Sequence, residues 1–133
     1  MLFRSDVVSL SLAADVFKLQ AKGLVDVGWE RKFPNQSIIT NSTVAVFVRP
    51  GNPKHIKGWT DLDNKNVDVI TANPKTSGGA RWNFAALWGA VTETGGSEEK
   101  AKAFIVNVYK NVDVLPKDAR EATDTFEIGR AHV

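Results

Sequence analysis

Apolar and polar residues alternate with two different periods along the chain, and these periods separate helix-like from strand-like segments. The clearest helical pattern runs from Ser97 to Asn111, where apolar side chains recur at i, i+3, i+4, i+7 and i+8. They are Ala101, Phe104, Ile105, Val108 and Tyr109. Ser97 is the predicted N-cap of this helix, and Glu98 and Glu99 suit the positive end of its dipole.

Four further segments have weaker helical patterns. Residues 15–25 predict a short helix that stops near Gly23, and residues 116–126 predict a turn that enters a helix. Residues 80–91 place apolar side chains at helical spacing: Phe84, Ala85, Trp88 and Val91. Residues 59–63 predict one helical turn capped by Thr60.

Strand-like runs precede or follow these helices. Residues 6–15 have the pattern of a buried strand, and residues 42–53 contain a run in which five of the six residues 44–49 are apolar, ending in a Pro-Gly-Asn-Pro turn. Residues 66–71 and 111–115 predict two shorter strands. Because strands alternate with helices, the pattern favours an α/β fold with a mixed, mostly parallel sheet flanked by helices.

The motif Ser77-Gly78-Gly79 lies between the strand at 66–71 and the following helix. Glycine weakens a helix start, but it leaves the first backbone amides accessible. Those amides lack intrahelical partners and lie at the positive end of the helix dipole, so the motif is typical of an anion site. A capped helix after a tight turn is the alternative interpretation of the motif alone. No Gly-Lys-Ser/Thr follows, so a nucleotide P-loop does not fit.

The absence of carboxylate hydrogen-bond acceptors near the motif indicates which type of anion it would bind. Sulfate carries no proton at neutral pH and needs donors only, whereas phosphate keeps a proton and is better served where a carboxylate can accept it. The segment from Asn73 to Val91 contains no Asp or Glu. This turn therefore favours sulfate, unless a carboxylate from elsewhere in the fold reaches the site.

Four segments resemble periplasmic sulfate- and thiosulfate-binding proteins of sulfate ABC transporters. They are DVVSLSLAADV, VAVFVRPGNPKHIKGWTDL, VITANPKTSGGARWNFAALWG and YKNVDVLPKDAREATDTF, in the family's order. The resemblance covers residues 6–126. It implies a fragment of a two-lobed, type II periplasmic binding protein that holds a dehydrated sulfate, with an ABC permease in the membrane as docking partner and a periplasmic location.

The resemblance also implies a ligand set. The hydroxyl of Ser77 and the backbone amides of Gly78, Gly79 and Ala119 would bind sulfate. Arg81 and Arg120 would support the site without an ion pair to the anion. Trp82 and Trp88 are interpreted as packing residues.

The chain departs from the family at the second helix start. Glycine is usual where this sequence has Asp118, and glycine and serine are usual at Glu121 and Ala122. Asp118 beside a dianion is expected to disturb the geometry and the affinity there. Further family ligands match no part of this sequence, so we expect the 133-residue chain to bind sulfate weakly or not at all.

The residues at the two ends of the chain have the pattern of foreign sequence. One coding of Leu-Phe-Arg-Ser (residues 2–5), read on the opposite strand, encodes the Ile-Gly-Arg of residues 128–130. We therefore expect residues 1–5 and 128–133 to derive from adapter DNA. Residues 6–40 are then expected to be part of a first lobe, and residues 41–127 much of a second.

Composition adds mainly exclusions. The chain has no cysteine, 43% apolar residues, and 17 basic against 15 acidic residues scattered without a patch. These features argue against nucleic-acid binding, membrane insertion and a thiolate metal site. The two histidines and the absence of a Gly-x-Ser-x-Gly motif give an enzyme little support, and no metal or cofactor is predicted. The alternatives left open are a binder of another oxyanion, such as molybdate or phosphate, and an α/β enzyme acting on a phosphorylated substrate.

Overall fold

A computed structural model describes residues 6–129, which form two compact units that divide after Thr43. The segments expected to be foreign, 1–5 and 128–133, lie outside the described residues except for Ile128 and Gly129. No helix between residues 6 and 129 is long and apolar enough to cross a membrane.

The first unit contains one α-helix, α1 (Ala13–Ala21), and two 3-10 helices, Trp29–Arg31 and Asn35–Ser37. The helix ends as predicted near Gly23, which has a φ of +69°. The amide of Gly23 donates to Gln20, and the amide of Leu24 reaches back to Leu19 at 3.0 Å. This pair of bonds is a Schellman motif, which satisfies carbonyls that a helix end leaves open.

The predicted strand at residues 6–15 is wrong. Residues 6–11 are exposed and belong to no strand, and α1 already begins at Ala13. Leu12 is the one buried residue of this segment, and its carbonyl accepts the amide of Asp15 at 3.0 Å. A strand needs a partner for its backbone groups, and no described residue supplies one to this segment.

The second unit is built around three α-helices: α2 (Gly78–Thr92), α3 (Glu98–Lys110) and α4 (Ala119–Ile128). Its core lies where α2 and α3 pack on the 3-10 helix Trp59–Asp63 and on Val67, which follows that helix. The buried core members are Leu62, Val67, Leu87, Phe104, Ile105 and Val108. Trp88 packs against this core as predicted, whereas Trp82 is 54% exposed and does not.

The structure confirms the helix predicted for residues 97–111, which is α3. Ala101, Phe104, Ile105 and Val108 are buried, and Tyr109 packs partly against the core, where burial raises the pKa of its hydroxyl. The Ser97 hydroxyl caps the helix by accepting the amide of Lys100 at 3.3 Å. The pKa of Glu99 in the first turn is lowered, first by its own backbone amide and then by the hydroxyl of Ser97.

No residue between 6 and 129 is assigned to a β-strand, so the predicted sheet is not confirmed. Residues 66–73 and 111–116 nevertheless lie side by side. The amide of Val69 donates to Asn111 at 2.8 Å, and the amide of Asn73 donates to Pro116 at 2.7 Å. Partners that advance together along both segments indicate a parallel alignment, held by isolated bonds rather than a continuous ladder.

The predicted strand at residues 42–53 is not assigned to any strand and has no strand partner among the described residues. Val46, Phe47 and Val48 are 39%, 84% and 41% exposed. The predicted turn after it is present: the amide of Asn52 donates to Arg49 at 2.9 Å, and Gly51 has a φ of +74°. A run of β-branched residues gives the preference for a strand, but a neighbouring strand has to complete it.

The predicted helical turn at 59–63 is present as a 3-10 helix, but Thr60 is not its cap. Gly58 holds the N-cap position, and the carboxylate of Asp61 accepts the amides of Lys57 at 2.6 Å and Gly58 at 3.0 Å. These amides lower the pKa of Asp61 below 3.8.

Helix α2 ends at Thr92, shortly before the Thr-Gly-Gly-Ser segment at residues 94–97. Gly95 has a φ of +85°. A Cβ on Gly96 would collide with the side chain of Val91 and would lie 2.8 Å from its carbonyl oxygen. A Cβ on Gly89, inside α2, would meet nothing closer than 3.8 Å.

These environments predict opposite effects for two alanine substitutions. Gly96→Ala is expected to lower the free energy of unfolding by about 1–3 kcal/mol, because the backbone of Val91 must move. Gly89→Ala is expected to raise it by about 0.5–1 kcal/mol, because alanine loses less conformational entropy in a helix. Urea denaturation followed by circular dichroism measures both, and equal effects of the two variants would contradict this account.

The environment of Asp61 predicts a pH dependence with a definite sign. Its folded-state pKa is lowered, so its stabilising effect is complete above the unfolded-state pKa and is lost as pH falls through the folded-state pKa. Asp61→Asn should therefore destabilise the chain at pH 7, and this effect should disappear as pH falls through the lowered folded-state pKa of Asp61. A stability difference that stays constant across this range would rule out the ionised carboxylate as the cause.

Candidate anion-binding site

Ser77 caps the start of α2 with a nearly buried side chain, which is 8% exposed. Its amide donates to Asn73 at 2.9 Å, and its Oγ accepts the amide of Ala80 at 3.3 Å. No described residue accepts the hydroxyl proton of Ser77. The hydroxyl is therefore held in place by an acceptor contact while its donor remains available to a ligand.

The two glycines that follow form the first turn of α2. The amides of Gly78 and Gly79 donate to no described residue, as expected for a helix start. A Cβ on Gly79 would make only an ordinary contact, 3.8 Å from Ser77 Oγ. Steric crowding therefore does not explain glycine at position 79, which leaves the amides of this first turn without a covering side chain.

Helix α4 starts in a different way. Asp118 is its N-cap and accepts the amide of Glu121 at 3.0 Å, while the carboxylate of Glu121 accepts the amide of Lys117 at 2.8 Å. The amides of Ala119 and Arg120 donate to no described residue. The predicted donor Ala119 is thus exposed and available, but two carboxylates lie within one turn of it.

Two hydrogen bonds bring the loops before α2 and α4 together. The amide of Asn73 donates to Pro116 at 2.7 Å, and the hydroxyl of Thr76 donates to Lys117 at 2.6 Å. Thr76 and Lys117 each immediately precede an N-cap. The structure therefore joins the loops that lead into the predicted donors of α2 and of α4, although these helix starts lie about forty residues apart in the sequence.

Sequence reasoning missed the residues that form these loops. Asn73 accepts the amide of Lys75 with its side chain at 2.9 Å and the amides of Thr76 and Ser77 with its carbonyl. Asn83 on α2 donates to Thr71 at 3.1 Å, which ties the helix to the extended segment before it. In the sequence, the Asn73-Pro74 pair could have indicated this loop, since asparagine side chains often accept backbone amides two residues ahead.

The two arginines predicted to support the site differ in burial and in hydrogen bonding. Arg81 is half-buried and donates from Nε to the carbonyl of Pro74 at 3.1 Å, so it fixes the loop before α2. Arg120 is exposed and forms no hydrogen bond or ion pair with the residues that the structure describes.

The two helix starts also differ in charge. The first turn of α2 contains no acidic residue, and its cap is a neutral serine. The first turn of α4 contains Glu121, and its cap is the carboxylate of Asp118. No cluster of three or more potential metal ligands lies within residues 6–129. The arrangement can bind an anion through neutral donors on one side and offers a carboxylate acceptor on the other.

A comparison with protein-family models identifies the wider group. The model described as bacterial extracellular solute-binding protein matches residues 4–133. The chain belongs to this solute-binding family. Its curated relatives carry the names of binding proteins rather than of enzymes, in agreement with the sequence-based interpretation.

Two of these relatives indicate how close the similarity is. The sulfate-binding protein of Synechococcus elongatus is 55% identical over 97% of this chain. The thiosulfate-binding protein of Pseudomonas aeruginosa is 42% identical over 92% of it. In both cases the chain spans only 37% of the relative's length.

A solved structure agrees with these sequence matches. The sulfate-binding protein SubI from Mycobacterium tuberculosis superposes with a TM-score of 0.76 and 35% identity, over 87% of this chain and 40% of SubI. This similarity supports the periplasmic-binding-protein fold class predicted from the sequence.

The bond between Thr76 and Lys117 can be tested by substitution. Thr76→Val removes the donor and should lower the free energy of unfolding by about 0.5–1.5 kcal/mol, whereas Thr76→Ser keeps the hydroxyl and should retain most of the stability. Hydrogen exchange of the Asn73 amide, which donates to Pro116, should quicken in the valine variant only. Equal exchange in both variants would show that this hydroxyl does not hold the loops together.

Proposed function

We propose that the chain is part of the substrate-binding component of a sulfate or thiosulfate ABC import system. In the whole protein, two lobes containing a mostly parallel sheet would close on the anion, outside the cytoplasmic membrane in the periplasm, and would dock on a membrane permease. The names of the relatives and of SubI support this proposal.

One observation carries the proposal: two helix starts with open amides are hydrogen-bonded to each other through their preceding loops. The proposed ligands are the hydroxyl of Ser77 and the amides of Gly78, Gly79 and Ala119. Each hydrogen bond to a charged group contributes about 1.5–3 kcal/mol, so converging neutral donors can hold a dianion without a counter-charge. Arg81 would act on the loop rather than on the anion, through its bond to Pro74.

The test is a sulfate titration of the ¹⁵N-labelled chain at constant ionic strength, with chloride as the balancing anion. Saturable shifts are expected at the amides of Gly78, Gly79 and Ala119, with a dissociation constant of about 1–10 mM. Ser77→Ala should weaken binding about tenfold, because a donor to the charged anion is lost.

Ser97→Ala is a matched control. Ser97 caps α3 with the same 3.3 Å bond that Ser77 makes on α2, so both variants lose an N-cap and about 1 kcal/mol of stability. Only Ser77→Ala should change the sulfate response. If both variants weaken it equally, or if chloride produces the same shifts as sulfate, the proposed site is wrong.

A further inference from the structure

Residues 44–48, with the sequence Val-Ala-Val-Phe-Val, leave their backbone hydrogen-bonding groups open. They belong to no helix, strand or turn, and their amides and carbonyls form no hydrogen bond with any residue between 6 and 129. Backbone amides and carbonyls are strong donors and acceptors, and an unpaired row of them is a template for another strand. The segment can therefore pair with a second chain without breaking any bond that it already makes.

Side-chain exposure alternates along these five residues, as it does on a pleated strand. The valines at positions 44, 46 and 48 are 36%, 39% and 41% exposed, whereas Phe47 is 84% exposed. The three valines also line a single groove together with residues 56–59. They therefore share one face of the segment, which leaves Ala45 and Phe47 on the other face.

The order of the side chains is symmetric about Val46, which makes the segment complementary to a second copy of itself. In an antiparallel pair with a two-fold axis at Val46, the valines at positions 44 and 48 face each other, and Ala45 faces Phe47. Valine then packs against valine across the two strands, and the small alanine leaves space for the phenylalanine ring. Cross-strand pairs of β-branched and aromatic side chains stabilise a sheet in this way.

The distribution of charge also favours a second copy as the partner. None of the residues from 33 to 48 is charged, so the pairing sets no like charges opposite each other. Arg49 follows the segment and would face Thr43 rather than the Arg49 of the second copy. Pro50 has no amide to donate, so it ends the row of open groups.

We propose that residues 44–48 form an antiparallel, two-fold symmetric strand pair with the same residues of a second copy of this chain. This inference is independent of the proposed anion site. Five residue pairs form a small interface, since stable interfaces bury about 1,200–2,000 Å² in total. The dimer is therefore weak, with a dissociation constant of about 0.1–1 mM.

The test exchanges charge at the symmetry axis. Val46→Glu and Val46→Lys each set two like charges opposite each other in a dimer, whereas an equimolar mixture of the two variants sets Glu opposite Lys. Sedimentation velocity from about 10 µM to about 1 mM brackets the expected dissociation constant. The unsubstituted chain should pass from monomer to dimer over this range. Each variant alone should dimerise about tenfold more weakly, and the mixture should recover most of the loss.

Val106→Glu and Val106→Lys are the matched controls, because Val106 is a valine of α3 that is 55% exposed and lies outside the segment. These variants should dimerise as strongly as the unsubstituted chain, separately and mixed. Circular dichroism checks that every variant keeps its helices. Position 46 variants that dimerise as well as the controls, or a mixture that stays monomeric, would overturn the inference.

Hydrogen exchange tests the pairing without any substitution. Alternate amides within residues 44–48 should exchange more slowly at about 1 mM than at about 10 µM, because every second residue of an antiparallel strand donates to its neighbour. The amides of α3 should exchange equally at both concentrations. A chain that remains monomeric throughout, with exchange of residues 44–48 that does not depend on concentration, would show that a second copy does not cover this segment.

Discussion

The hydrogen bond from the hydroxyl of Thr76 to the carbonyl of Lys117 is the contact on which the proximity of the two candidate helix starts depends. Each start leaves two amides without a described acceptor, those of Gly78 and Gly79 in α2 and those of Ala119 and Arg120 in α4. The bond joins the two loops directly before the N-caps Ser77 and Asp118. Together with the bond from Asn73 to Pro116, it holds side by side two loops that lie about forty residues apart in the sequence.

Local patterns were sufficient to predict the helices of the second unit. The apolar spacing of α3, the cap Ser97 and the bare start of α2 all depend on residues close together in sequence, and the structure bears them out. The strands were not predictable in the same way. Residues 42–53 have the preference for a strand, but pairing depends on a neighbour, and no described residue provides one.

The same difference between nearby and distant residues separates the features of the candidate site that the sequence indicated from those that it did not. The Ser-Gly-Gly motif pointed to Ser77 and its neighbours because the signal lies within three residues. The link through Thr76 could not be read from the sequence, since a threonine hydroxyl has many possible acceptors and its partner is forty-one residues away. The resemblance to sulfate-binding proteins supplied Ala119, which no local pattern of this chain would have singled out.

Exposed apolar residues show where the described chain lacks a covering layer. Val46, Phe47 and Val48 expose side chains that a sheet or helix would cover in a larger protein. The next residue, Arg49, instead places its guanidinium 3.9 Å from the centre of the Phe126 ring, a cation–π contact. This contact joins the start of the second unit to α4.

The contrast between the neutral cap of α2 and the charged cap of α4 makes the two neighbouring helix starts inequivalent. The first turn of α2 contains no acidic residue, whereas the first turn of α4 sets the carboxylates of Asp118 and Glu121 beside its open amides. A negative charge is therefore favoured near the start of α2 and opposed near the start of α4, so the pair of helix starts has an electrostatic polarity that neither start has by itself.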